Sequence, residues 1–170
     1  MFRKALSYTM IVVLLMMLTA CGSKNPHFIG YVYSKDTQNG HTVVVGVSDG
    51  SSSYTDVLIR KGVSKLDIGS KVEVYYSDNE INAIFPANAR AKLTEIKAAK
   101  EEKAMLKNLF THIYNENGKN VYPSVIHTED HEHFWNVEVK LISVGSESEG
   151  DMLIAYSVAK DGSAIERIYE

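Results

Sequence analysis

The chain has 170 residues, a formal net charge of −3 and one cysteine. That length suits one compact domain or two small ones. An acidic balance without clustered Lys and Arg excludes nucleic acid as an expected partner, because phosphates call for basic clusters. One cysteine excludes an internal disulfide framework and a Cys-rich zinc site.

Arg3 and Lys4 precede an almost purely apolar run, Met10 to Leu18. The run is shorter than the about 20 apolar residues that span hydrocarbon and suits the h-region of a signal peptide. Leu18-Thr19-Ala20-Cys21 then matches the lipobox of bacterial lipoproteins. Small residues let a peptidase bind the extended chain, and the cysteine thiol takes the lipid. Residues 1–20 are therefore expected to be a signal peptide and Cys21 the lipid-attachment site. Residues 21–26 then form a short tether, since Gly22, Ser23, Lys24, Asn25 and Pro26 lack apolar character. Acyl chains at about 0.8 kcal/mol per buried CH₂ would hold the chain at the extracytoplasmic face of the cell membrane.

Loss of Arg3 and Lys4 would leave the mature chain at −5. The charge is uneven. Residues 22–97 hold nine Lys/Arg and eight Asp/Glu, whereas 98–170 hold seven and thirteen. An acidic surface of this kind is solvated, or attracts cations or a basic partner.

Residues 27–96 read as a small β domain. Phe28 to Tyr33 is β-rich and runs into Asn39-Gly40, a strong hairpin signal. Thr42 to Val47 is β-branched almost throughout, Ser48 to Ser53 is a loop, and Tyr54 to Arg60 forms a third strand. Leu66 and Ile68 tuck under a turn at Gly69, followed by the alternation of Val72, Val74 and Tyr76. Asp78-Asn79-Glu80 turns the chain, Ile81 to Phe85 pairs back, and Pro86 interrupts the ladder. Ala89 to Ile96 fits a last strand or the first turns of a helix. Five or six short strands with regular turns predict an OB-like barrel.

Residues 97–170 change grammar. Ala98 to Ala104 is dense in helix formers, and Met105, Leu106, Leu109, Phe110, Ile113 and Tyr114 form an apolar stripe at helical spacing. Asn117-Gly118 closes the helix. Val121-Tyr122-Pro123 starts a connection. Trp135 to Leu141, Met152 to Val158 and Ala164 to Tyr169 then read as three strands, the first two joined by a polar loop over Gly145 to Gly150. The expected class is α+β: an N-terminal OB-like barrel followed by a helix plus a three-stranded antiparallel sheet.

Gly30-Tyr31-Val32, the spacing Leu66-x-x-Gly69-x-x-Val72-x-Val74, and Phe85-Pro86-Ala87-x-Ala89 occur in that order. On these motifs residues 27–96 resemble the YobA-like family of small exported lipoproteins of bacilli. The resemblance implies a Gram-positive, surface-anchored β domain and carries over no catalytic residue. Residues 97–170 are similar in element order to PepSY and cystatin-like modules. That likeness includes an ending with Ala155-Tyr156-Ser157-Val158, Asp161-Gly162 and Ile165, and it implies a binding or inhibitory module.

His127, Glu129, His131 and His133 would share one face of an extended strand. Imidazole and carboxylate ligands suit zinc, copper or nickel. A solvated polar loop entering the Trp135 strand accounts for the same tract. No nucleophile elbow, phosphate loop, His-Glu-x-x-His or dinucleotide fingerprint occurs. Tyr31, Tyr33, Tyr54, Tyr75, Tyr76 and Phe85 would line a barrel face that stacks on a sugar or peptide, or fill the core and decorate the sheet. The expected function is non-enzymatic binding of an envelope protein or cell-wall component, with no cofactor. A metal-binding lipoprotein using the histidine tract is the alternative. An enzyme acting on wall sugar or peptide would need a pocket with at least two titratable groups of shifted pKa.

Overall fold

The computed structural model describes residues 26–47, 57–76, 85–144 and 152–168. The signal segment, Cys21, the Ser48–Ser53 loop, Tyr54, the Asp78–Glu80 turn, most of the Ile81–Phe85 strand and the Gly145–Gly150 loop lie outside the described residues.

The elements run β1 (Phe28–Asp36), β2 (His41–Gly46), β3 (Val57–Lys61), β4 (Lys71–Tyr76), β5 (Ala87–Ala89), β6 (Ala91–Glu95), α1 (Lys100–Asn117), β7 (Val121–Asp130), β8 (Phe134–Ser143), β9 (Met152–Ala159) and β10 (Ile165–Ile168). Two sheets form. The first has the order β5-β3-β2-β1-β4-β6 and the second β10-β9-β8-β7. All pairings are antiparallel except β3 with β5.

The expected class needs correction. The fold is mostly β, with a curled six-stranded sheet, one helix and a four-stranded sheet in place of a helix plus three strands. The extra strand is β7, a stretch whose residue pattern resembles a connection and a polar loop. Pro123 misleads there. It pairs with Leu141 on a strand that has a neighbour on one side only, where a missing N–H breaks no ladder.

The first sheet curls because β5 and β6 are consecutive yet pair with opposite ends of it. The bend at Arg90 carries the chain from the β3 edge to the β4 edge. Arg60 spans the same gap, donating from Nε to the Ala91 carbonyl at 2.7 Å. Val32, Val44, Leu58, Val72, Val74, Ala89 and Ala91 fill the inside of the curl. The other face of β1, β2 and β3 sends Tyr31, Tyr33, Val45 and Val57 into a second, larger core. Burial on both faces explains the unbroken β-branched run of β2, which has no polar side to alternate with.

That larger core is built around α1. Met105, Leu106, Leu109, Phe110 and Ile113 are buried, and each contributes about 2 kcal/mol through burial. They meet Tyr31 and Tyr33 of the first sheet and Val125, Val137, Val139, Tyr156 and Val158 of the second. One helix therefore fills the space between two sheets. Ser124 adds a buried link from β7, donating to the Gly46 carbonyl at 2.9 Å. Gly118, at φ 79, ends the helix, and its N–H donates to the Tyr114 carbonyl at 2.9 Å.

Polar contacts fix the first half of α1. Lys103 lies 3.0 Å from Glu95 and 3.2 Å from Asp67, and Ser70 donates to Glu95 at 2.7 Å. A hydrogen bond from Lys103 holds the Asp67 carboxyl below its ordinary pKa, and hydrogen bonds from Ser70 and then Lys103 do the same for Glu95. These groups are solvated, so the cluster orients the helix more than it stabilises it.

The turn before β4 presses on the helix backbone. At Gly69 (φ +85) a Cβ would lie 2.5 Å from the Lys103 carbonyl oxygen and 3.0 Å from the Lys107 nitrogen. At Gly40 (φ +68) a Cβ would meet nothing within 4 Å. Both positions carry the left-handed penalty of about 1–2 kcal/mol for alanine. Gly69→Ala adds a backbone clash and should cost about 3 kcal/mol or more in urea unfolding. Equal losses for Gly69→Ala and Gly40→Ala would contradict this docking.

Candidate functional site

The β1–β2 ladder shifts register between Val32 and Ser34, so Tyr33 is the extra residue of a β-bulge. Bulges re-aim side chains and occur next to functional sites. Tyr33 packs edge-on against Phe110 at 5.5 Å and lies 6.3 Å from both Tyr114 and Tyr122, centroid to centroid. These rings come from β1, α1 and β7, which meet where the helix packs against both sheets. They line a cleft of about 580 Å³, within the size range of small-molecule sites. The β1–β2 hairpin and the turn after α1 both contribute to its lining.

Tyr33 is 2% exposed, and its hydroxyl has no hydrogen-bond partner among the described residues. A buried polar group left unsatisfied costs about 1–3 kcal/mol, so it calls for an explanation. Burial pushes its ionisation well above the ordinary tyrosine value, and Tyr114 and Tyr122 add to the shift. Burial also raises Tyr122. Asp36 at the hairpin is lowered, because it accepts from the backbone N–H groups of Asn39 and Gln38 and from the Asn39 amide. The cleft thus holds three groups with shifted pKa. Every shift moves away from neutrality, the opposite of what proton transfer at ordinary pH requires.

Tyr114 differs from the other rings. It is 41% exposed, so one aromatic group of the cleft reaches solvent. Lys35, Gln38, Lys119 and Asn120 stand on the rim. None of these four side chains makes a hydrogen bond or ion pair among the described residues.

The other expected tyrosines do not form a common face. Tyr31 points at α1, donates to Glu102 at 3.3 Å and carries Lys71 over its ring at 5.6 Å. Tyr75 donates to Glu73 at 2.7 Å, while Tyr76 packs on the inner core of the curl and stacks on His27. Phe85 is 46% exposed, and Tyr54 lies outside the described residues.

The histidine tract is placed differently from a ligand set on one strand face. A register shift between Val125 and His127 breaks the alternation of β7, and the strand ends at Asp130. His127 is exposed and sits opposite Glu138. His131 lies past the strand, stacks on Phe134 at 4.6 Å and approaches Glu129 at 3.3 Å. His133 is well exposed and nearest Glu132, at 3.9 Å. Glu129 and His131 come together, whereas His127 and His133 do not join them. Among the described residues no group of three or more His, Cys, Asp or Glu is arranged to hold a metal ion. Cys21 lies outside the described residues.

Tyr114, Tyr122, Lys35, Lys119 and Asn120 were not legible as site residues. Tyr114 reads as part of the helix stripe and Tyr122 as part of a connection. The cleft joins positions about 80 residues apart, which no local spacing reveals. Asn39-Gly40 did announce the hairpin at its end.

Tyr33→Phe removes the orphan hydroxyl and keeps the ring. The variant should unfold at an unchanged free energy, or one higher by about 1 kcal/mol. A loss of about 1 kcal/mol or more in denaturant titration would mean that the hydroxyl is satisfied within the free protein. Compared with known proteins, the chain matches no family model, no curated protein and no solved structure.

Proposed function

We propose that this protein is a lipid-tethered, extracytoplasmic binding module that holds an envelope component in the cleft between the β1–β2 hairpin and α1. The observation that carries the reading is the bulged, buried Tyr33, whose unpartnered hydroxyl stands in a ring of aromatics at a solvent-open cleft. The hydroxyl itself is shut off from solvent, so Tyr33 serves as the fixed floor of the cleft, and the open Tyr114 ring and the polar rim are what a ligand would touch.

Placement supports the same reading. The lipobox ends at Cys21, and β1 begins seven residues later at Phe28. The strand runs to Asp36, so the hairpin end of the cleft is about 26 Å from where the chain enters the sheet. A lipid on Cys21 would keep the entry end near the bilayer and hold the cleft out toward the wall. Tethering raises the effective concentration at that boundary, so modest affinity suffices. Catalysis is not part of the proposal, because the shifted groups of the cleft are moved away from the neutral range. The metal-binding alternative rests on Glu129 and His131 alone, and nothing in the geometry favours it over the cleft.

A photo-crosslinking residue at Thr37 of the full-length, membrane-resident protein tests the proposal. The expected product is a discrete envelope adduct that Tyr114→Ala diminishes and that the same probe at Glu166, on the far edge strand, does not form. Adducts of equal yield from both positions, or none from Thr37, would overturn it.

A further inference from the structure

The lining of the cleft narrows the kind of ligand. Resting on the binding reading above, we propose that the cleft takes an acidic glycan, with a sugar ring on Tyr114 and its carboxylate or phosphate between the ammonium groups of Lys35 and Lys119.

Three observations lead there. The first is polarity. Nine of the sixteen residues that line the cleft carry polar or charged side chains. Sites for apolar ligands are lined predominantly by hydrophobic groups. Ser34, Thr37, Gln38 and Asn120 offer hydroxyls and amides that no other described side chain uses. An amide presents a donor and an acceptor side by side, which matches neighbouring hydroxyls on a sugar.

The second is the single open ring. Phe110, Tyr33 and Tyr122 are 1%, 2% and 6% exposed, against 41% for Tyr114. One accessible phenol face amid polar groups suits the apolar C–H face of one pyranose ring. Tyrosine adds a hydroxyl at the edge of that platform.

The third is charge. Neither Lys35 nor Lys119 lies within 4 Å of a carboxylate among the described residues, although Lys35 is near enough to Asp67, the Lys103 partner, to help hold that carboxyl below its ordinary pKa. Asp36 is the one carboxylate on the lining, and the hydrogen bonds it accepts from Asn39 and Gln38 keep it ionised, so the two lysines outnumber it by one charge. The site is therefore cationic on a chain that is acidic overall. Such a local reversal selects an anionic ligand and draws it in against the background field.

The probes are a trimeric uronic-acid oligosaccharide, a neutral glucose trimer and a glutamate-rich hexapeptide, each titrated by calorimetry into the full chain reconstituted in lipid nanodiscs. The uronic trimer should bind about tenfold more tightly than the neutral trimer in low salt, the sum expected of two exposed charge pairs. The difference should shrink as ionic strength rises. Lys35→Ala with Lys119→Ala should bring the uronic trimer down to the affinity of the neutral one and leave the neutral one unchanged. The double arginine variant should retain the preference. Tyr114→Ala should weaken both sugars. Equal binding of the two sugars, a preference for the hexapeptide, or no binding by any probe would overturn the glycan assignment. The crosslinking from Thr37 reads the cleft without presuming a ligand, so it separates failure of this assignment from failure of the binding site itself.

Discussion

Everything positioned in this fold depends on the burial of one helix on two sides. Met105, Leu106, Leu109, Phe110 and Ile113 are each at most 4% exposed, and they meet both sheets. A helix on one sheet buries one stripe. Here the stripe is wide, because Phe110 packs toward Tyr31 and Tyr33 while the same core takes in Tyr156 and Val158. The helix is the common wall of the two segments. Removing it would uncover the outer face of β1–β3 and the inner face of β7–β9 together.

The cleft follows from that arrangement. It opens where the end of α1, the start of β7 and the β1–β2 hairpin converge. The bulge at Tyr33 adds the special feature, an extra residue whose ring is packed on three sides while its hydroxyl is left without a partner among the described residues. Packing holds this ring in place, and the unsatisfied group is the local cost. A polar rim surrounds this mostly buried aromatic floor.

Most strands were legible because their patterns are local. The Asn39-Gly40 turn, the β-branched run of β2, the alternation of Val72 and Val74, and that of Val137, Val139 and Leu141 all point to elements that form. The helix was legible from its stripe, except that Tyr114 is open to solvent. The reading failed at β7, where Pro123 and a charged stretch imitate a loop but occupy a sheet edge. The class failed with it. The motifs Gly30, Gly69, Val72, Val74 and Ala89 turn out to be packing positions: Gly30 would place a Cβ 2.4 Å from the Val45 carbonyl oxygen, and Val72, Val74 and Ala89 fill the curl. They report architecture and say little about ligands. The cleft was not legible, because its walls come from β1, β2, β3, α1 and β7, elements far apart in the chain that only the tertiary packing brings together.

The central claim is that one helix ties both sheets into one core, with the cleft at their junction. Differential scanning calorimetry, followed in parallel by Trp135 fluorescence for the second sheet, tests it most directly. The account predicts a single transition whose calorimetric and van't Hoff enthalpies agree and whose midpoint coincides with the fluorescence change. Two resolved transitions, with Trp135 following only one of them, would contradict it.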